Sequence, residues 1–253
     1  MFVWPREQFE AVSDLVRTGL SDYEVARRIG VPRSTVQKWR VNGPAVRGRS
    51  PDPIRWRPSD DRAYCYALGL YLGDGHIVVR RGRPRHLRLC LDALYPQLIA
   101  EAQKSLEQTF PPARAYRYVW GEARREIVQI CHPALLTAFP QHGPGRKHER
   151  PIKLVDWQVD LTRANPAALI RGLIHSDGCR SINRFTTKLP SGRVREYAYP
   201  RYFFTNRSAD IIGIFRDHCA LIGVRTSMSN PRNVSVSDKK SVAILDQVVG
   251  PKR

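Results

Sequence analysis

The spacing of apolar residues changes period along this chain, and the changes divide it into two kinds of region. Over the first forty residues the period is helical. Phe9, Val12, Leu15 and Val16 stripe one side of PREQFEAVSDLVRTG, which predicts a helix ending at Gly19. Ser21 and Glu24 have capping-box spacing ahead of a second helix that carries Val25, Ala26 and Ile29. Gly30 marks a turn, after which VPRSTVQKWR restarts as a third helix with Val36 and Trp39 inward. From position 61 helical and alternating patterns interleave. Strands are expected at 76–81 and 86–92, a helix at 95–109, strands near 114–120 and 125–131, and a helix near 132–139. The same order then returns: strands near 179–187 and 197–205, a helix at 208–222, strands at 224–229 and 233–237, and a closing helix at 239–249. Leu87, Leu89 and Leu91 alternate with His86 and Arg88, and Val234 and Val236 with Asn233, Ser235 and Ser237. Each sheet should therefore have one apolar face covered by helices and one polar face left open.

Both halves open on the same nine-residue pattern, ALGLYLGDG at 67–75 and IRGLIHSDG at 170–178. Gly69 or Gly172 is followed four residues later by Gly73 or Ser176, then at once by Asp74-Gly75 or Asp177-Gly178. Small residues four apart share a helix face, so two such helices can bring their backbones together, each ending at an Asp with a Gly free to turn the chain. An Asp-Gly pair alone is a common turn; its repetition with the same preceding spacing is what carries the reading. Two carboxylates placed side by side at the negative ends of helix dipoles need positive compensation. A hard divalent cation, Mg²⁺ with Mn²⁺ as the alternative, suits one or two carboxylates completed by water and phosphate oxygens.

Composition points to the partner. Lys+Arg number 42 against 23 Asp+Glu, a formal charge of +19, and a polyanion is the natural ligand of such a surface. GC-rich coding would inflate Arg but would not remove acids. No run of 18 apolar residues is present and MFVWPREQFE is not a signal peptide, so a soluble intracellular protein is expected. The five cysteines, without a CxxC pair, read as reduced and mostly buried thiols rather than a disulfide framework or zinc site.

The first three helices resemble the helix-turn-helix of repressors and recombinases. That resemblance implies a third helix in the major groove, with Arg33, Ser34, Gln37 and Lys38 facing base edges and phosphates. Residues 44–60 are rich in Pro and read as an extended linker whose Arg47, Arg49, Arg55 and Arg57 either track a phosphate backbone or are simply solvated.

Residues 61–253, through the paired nonapeptides and the doubled order of elements, resemble the LAGLIDADG (DOD-type) homing endonucleases in their single-chain, two-repeat form. The resemblance implies an α+β fold of two pseudo-symmetric αββαββα repeats, 61–150 and 151–253, forming a saddle of antiparallel sheets over double-stranded DNA, preceded by the all-α domain 1–43. It also implies that Asp74 and Asp177 hold Mg²⁺ at the scissile phosphates. Arg80, Arg85, Arg88, Arg117, Arg180, Arg184, Lys188 and Arg201 would line the groove. The sequence departs from the family pattern where the other motif acid is Leu72 in one copy and His175 in the other. A basic residue is expected near the metals, with Lys188, Lys239 and Lys240 as candidates. His76 would touch a phosphate or water, or merely start a strand; His175 is expected to pack. QHGPGRKHERP at 141–151 matches no zinc spacing and is expected only to connect the repeats. No splicing nucleophile opens the sequence and no His-Asn pair closes it, so a whole intein is not expected.

Three function classes follow: a metal-dependent DNA endonuclease, favoured by both intact acids; a non-cleaving DNA-binding regulator resembling the WhiA type, in which the order of domains is reversed; and a transposase-like nuclease, for which the repeat leaves no place for a third acid. Two repeats in one polypeptide remove the need for a dimer in the two-repeat region.

Overall fold

The computed structural model describes residues 6–42, 56–80, 83–121, 124–250 and 252, with backbone only for Arg6, Asn42, Arg80 and residues 83–85. The chain divides between Arg55 and Trp56 into two compact units.

In the first unit, α1 (Arg6–Arg17), α2 (Asp22–Ile29) and α3 (Arg33–Asn42) pack around Val12, Val25, Val31 and Val36. The expected punctuation is present. Ser21 accepts from the Glu24 amide while Glu24 accepts from the Ser21 amide at 3.0 Å, and Gly30 ends α2 in the left-handed conformation at φ 73. Trp39 meets Phe9 edge-on at 5.5 Å, which ties the third helix to the first. Arg33, Ser34, Gln37 and Lys38 are all exposed.

The second unit runs α4 (Asp61–Asp74), β1 (Gly75–Arg80), β2 (Arg83–Asp92), α5 (Pro96–Thr109), β3 (Ala115–Trp120), β4 (Arg125–Ile130) and α6 (Leu135–Ala138). After α7 (Asp156–Ala164) come α8 (Pro166–Asp177), β5 (Gly178–Lys188), β6 (Val194–Thr205), α9 (Ala209–Leu221), β7 (Ser227–Asn230), β8 (Asn233–Val236) and α10 (Lys239–Val249). The two sheets are wired identically, β1-β2-β4-β3 and β5-β6-β8-β7, with every described pairing antiparallel. The expected doubled α+β fold is therefore present in topology as well as in element order. α7 has no counterpart in that expectation.

Leu87, Leu89 and Leu91 face the helices, as do Val234 and Val236, and all are buried. One continuous core joins both repeats, from Tyr64 and Leu68 on α4 to Phe204 and Phe215 in the second repeat. Trp56, inside the stretch read as linker, belongs to it: its ring stacks on Phe110 at 5.0 Å and meets Tyr64 and Trp157 edge-on. Arg57 lies over the Trp157 ring at 5.1 Å. Arg47, Arg49 and Arg55 lie outside the described residues. All five cysteines are free, but only Cys65 and Cys219 are buried; Cys131 and Cys179 are exposed because one follows the end of β4 and the other lies on the open face of β5. Among the described residues no helix is long and apolar enough to cross a membrane.

Candidate active site between the paired helices

The two nonapeptides form the ends of α4 and α8, and these helices touch backbone to backbone. A Cβ on Gly69 would lie 2.6 Å from the Leu169 carbonyl oxygen and 2.8 Å from Gly172 Cα; one on Gly172 would meet the Tyr66 carbonyl and lie 2.9 Å from Gly69 Cα. Four residues on, a Cβ on Gly73 would collide with Ser176 and lie 2.9 Å from Asp177 Oδ2. The Ser176 hydroxyl turns back onto its own helix, donating to the carbonyls of Gly172 at 3.1 Å and Leu173 at 3.0 Å, which keeps the crossing narrow.

The glycines after the acids serve a different purpose from the one expected. Gly75 (φ −94) and Gly178 (φ −113) are extended, not left-handed, and each donates its N–H to the last turn of its helix, at Tyr71 and Ile174. Glycine is needed there for space: a Cβ would lie 2.5 Å from Tyr71 Cα or 2.7 Å from Ile174 Cα. Helix passes straight into strand, so each Asp sits at a fixed point where the helix pair meets a sheet.

Asp74 feels the charge of Asp177. Burial, then the Asp177 charge, push the Asp74 carboxyl up to about 6, against the pull of Lys252, Lys147 and Arg125. Burial also holds Asp177 above the usual carboxylate range, opposed by the Asn206 amide, which donates to Oδ2 at 2.7 Å, and by Lys147 and Lys252. Among the described residues neither acid forms an ion pair within 4.0 Å. Asp177 opens into a cavity of about 580 Å³ shared with His76, His142, His148 and Asn206. Asp74 lines a second cavity, of about 1170 Å³, with Cys90, Asp92, Arg125 and Lys252.

Two lysines lie at the ends of the motif helices, and neither is among Lys188, Lys239 and Lys240. Lys147 donates to the carbonyls of Tyr71, Leu72 and Gly73, the latter two at 3.0 Å, and lies 4.8 Å over the Tyr71 ring. Lys252 donates to Ser176 at 3.4 Å and Gly178 at 3.3 Å and lies 5.2 Å over the Tyr95 ring. Lys147 thus satisfies the free Leu72 and Gly73 carbonyls at the negative end of α4, and Lys252 that of Ser176 at the end of α8. Burial draws the Lys147 ammonium down to about 8, and Lys252 is lowered for the same reason, while both aspartates raise them. Lys188, by contrast, is exposed at the end of β5, and Lys239 and Lys240 are exposed in the first turn of α10.

The loop at 141–151, expected only to connect the repeats, delivers Lys147. Its path is fixed by a buried chain of amides: Gln141 donates to Gln158 at 2.5 Å and to the Lys153 carbonyl at 2.8 Å, and Gln158 donates to the Tyr64 hydroxyl at 2.7 Å. Arg150 donates to the Gln141 carbonyl at 2.6 Å, and Asp210 on α9 accepts from the Ile152 amide at 2.7 Å. α7 presents Gln158 to this network. His175 is buried, its Nδ1 2.9 Å from the Tyr66 hydroxyl, and burial lowers it to about 4, in keeping with a packing role.

Strand phase sorts the arginines. Arg88 lies on the open face beside Gln129, opposite in phase to Leu87 and Leu89, and Arg201 lies on the open face of β6, opposite Ser181. Arg117, Arg180, Arg184 and Lys188 have the other phase. Arg117 pairs with Glu126, and Arg180 with Asp246 on α10 at 2.7 Å. Arg184 and Lys188 alternate with Asn183 and Thr187 and share the side of Arg180, because β5 runs without a bulge from Gly178 to Lys188. The side chains of Arg80 and Arg85 lie outside the described ones. Arg125, not singled out from sequence, lies on the open face and lines the Asp74 cavity.

No protein-family model matches this chain, and no curated protein matches it. Solved structures are similar to it at low identity. They include the LAGLIDADG meganuclease I-AabMI bound to uncleaved DNA (12% identity, TM-score 0.47, 75% of this chain and 85% of that one). The homing endonuclease I-WcaI bound to its DNA recognition sequence shares 11% identity at a TM-score of 0.47, over 85% of this chain and 93% of that one. The I-SmaMI LAGLIDADG homing endonuclease bound to cleaved DNA shares 11% identity at a TM-score of 0.45, over 74% of this chain and 83% of that one.

Proposed function

We propose that the second unit is a metal-dependent DNA endonuclease of the LAGLIDADG type and that residues 1–43 form a helix-turn-helix domain that adds sequence-specific anchoring. The observation that carries this reading is that Asp74 and Asp177 end two helices that touch through Gly69 and Gly172, near enough for the Asp177 charge to raise Asp74, with Lys147 and Lys252 capping the same helix ends.

The donor set fits Mg²⁺ or Mn²⁺. Two carboxylates kept above their ordinary titration range, both by burial and Asp74 also by the Asp177 charge, gain from a divalent ion between them. Among the described residues no third His, Cys, Asp or Glu completes a protein cage, which suits an ion that shares its remaining positions with water and phosphate. A divalent ion held there would polarise the scissile phosphate and lower the pKa of an attacking water. The chain's own residues do the rest. The Asn206 amide fixes the orientation of Asp177, the two ammonium groups stabilise charge building on phosphate oxygens, and Arg88, Arg125 and Arg201 on the open sheet faces hold a duplex across the helix ends.

The test is incubation of the full chain with a randomised duplex library and Mg²⁺ or Mn²⁺, alongside Asp74→Asn and Asp177→Asn. Cleavage by the parent chain, reduced at least about 100-fold in each variant, supports the reading. Equal DNA binding by all three with no cleavage replaces it with the non-cleaving regulator. A flat dependence of binding on salt removes DNA as the ligand.

A further inference from the structure

The second repeat carries a feature that cleavage does not require. β8 pairs with β6 only over Tyr202–Thr205, so beyond Arg201 the β5–β6 hairpin is a free two-stranded ribbon that continues to the Lys188–Val194 pair. On its open face Phe185, Tyr197 and Tyr199 form one aromatic group: Phe185 stacks on Tyr197 at 5.3 Å, Tyr197 on Tyr199 at 5.9 Å, and Phe185 lies 5.9 Å from Tyr199. Phe185 is 42% exposed and Tyr199 43%, although each is large and apolar in body. Arg195 lies over the Tyr197 ring at 5.4 Å, and Ser181, Asn183 and Arg201 share the face.

A two-stranded ribbon fits the DNA major groove. The faces and edges of these rings cannot satisfy the N7 and O6 acceptors of guanine or the amino donor of cytosine, and covering those groups without a hydrogen bond is costly; only the hydroxyls at the tips of Tyr197 and Tyr199 can pair with them. The thymine 5-methyl is the apolar group which that groove offers. Three rings held against one another lose little side-chain entropy on contact, and Arg195 and Arg201 beside them supply the charge match to the flanking phosphates.

Resting on the DNA reading above, we propose that the Phe185–Tyr197–Tyr199 group is a thymine-methyl reader, which sets the specificity of one outer segment of the target contacted by the second repeat. The experiment uses the full chain, with a duplex selected for binding from a random library, and replaces each thymine in turn by uracil, which removes only the methyl. Affinity should fall about fourfold for each contacted thymine, in one contiguous block. In Phe185→Ala and Tyr199→Ala, both at exposed positions, that block should lose its uracil sensitivity, the thymine and uracil duplexes then binding alike. Uracil sensitivity that is absent, or that survives both substitutions, overturns the inference while leaving DNA binding standing. So does a concentration-dependent dimer abolished by Phe185→Ala without any uracil effect, since the group would then pair with a second copy. Failure to bind any duplex overturns the functional reading as well.

Discussion

Lys147 and Lys252 stand in the same relation to the two motif helices: one donates to the carbonyls of Leu72 and Gly73, just before Asp74, and the other to those of Ser176 and Gly178, on either side of Asp177. Each follows a glycine of positive φ by two residues, Gly145 at 74 and Gly250 at 67. The repetition thus extends from the acids to the lysines that cap their helix ends.

Replacing either lysine by Met should leave DNA affinity within about threefold, since a single phosphate contact is at stake, yet slow cleavage by about 100-fold if both ammonium groups stabilise phosphate charge. Single-turnover rates on a fixed target measure this. A rate unchanged in both variants would reduce the lysines to helix caps.

Activity should peak between about pH 6 and pH 8. Asp74, pushed up to about 6, must be ionised to hold a cation, and Lys147, drawn down to about 8, must stay protonated. The raised Asp74 value has a consequence for stability with the opposite sign from that of a salt-bridged acid. The folded chain binds the proton more tightly than the unfolded one, so in chelator this group's contribution falls as pH rises from about 4 to about 6. Asp74→Asn should therefore stabilise the chelated protein at pH 7, by on the order of 3 kcal/mol, and abolish further stabilisation by Mg²⁺. Denaturant melts of both proteins with and without the ion give the comparison.

Gly69→Ala and Gly172→Ala force a methyl into facing backbone and should each cost at least about 2 kcal/mol. Gly213 on α9 has nothing within 4 Å of its would-be Cβ, and Gly213→Ala should instead stabilise by about 0.5–1 kcal/mol. Urea unfolding of the three variants separates a close helix crossing from generic glycine flexibility.

In the first unit, Gln37→Ala should weaken binding to a selected target by about 1–3 kcal/mol and relax preference at one position. Lys38→Ala should weaken all duplexes alike and lower the salt slope by about 1. Fluorescence anisotropy over a salt series distinguishes the two effects.

Most of the fold was legible because helical and alternating periods rarely coincide; α10 runs from Lys239 to Val249 as read from its pattern. The acids were legible as well, because Gly69 and Gly172 impose a spacing that repeats. The lysines were not singled out, although Gly145-Arg146-Lys147 and Gly250-Pro251-Lys252 repeat a Gly-x-Lys at nearly the same distance after each Asp-Gly. A search for second repeated motifs would have found them. α7 escaped because it is nine residues long and runs almost directly into Pro166, so its period never completes. The phase of Arg184 and Lys188 was unreadable because the free ribbon carries exposed apolar residues on both sides, Ile182 on one and Phe185 on the other.

If one carboxylate from each repeat holds a shared cation, Mn²⁺ titration calorimetry on the full chain detects it. Asp74→Asn, Asp177→Asn and the double variant should each lose the tight site to a similar extent, with strongly non-additive losses. Retention of that site at parental affinity in either single variant would mean that the two acids do not share an ion.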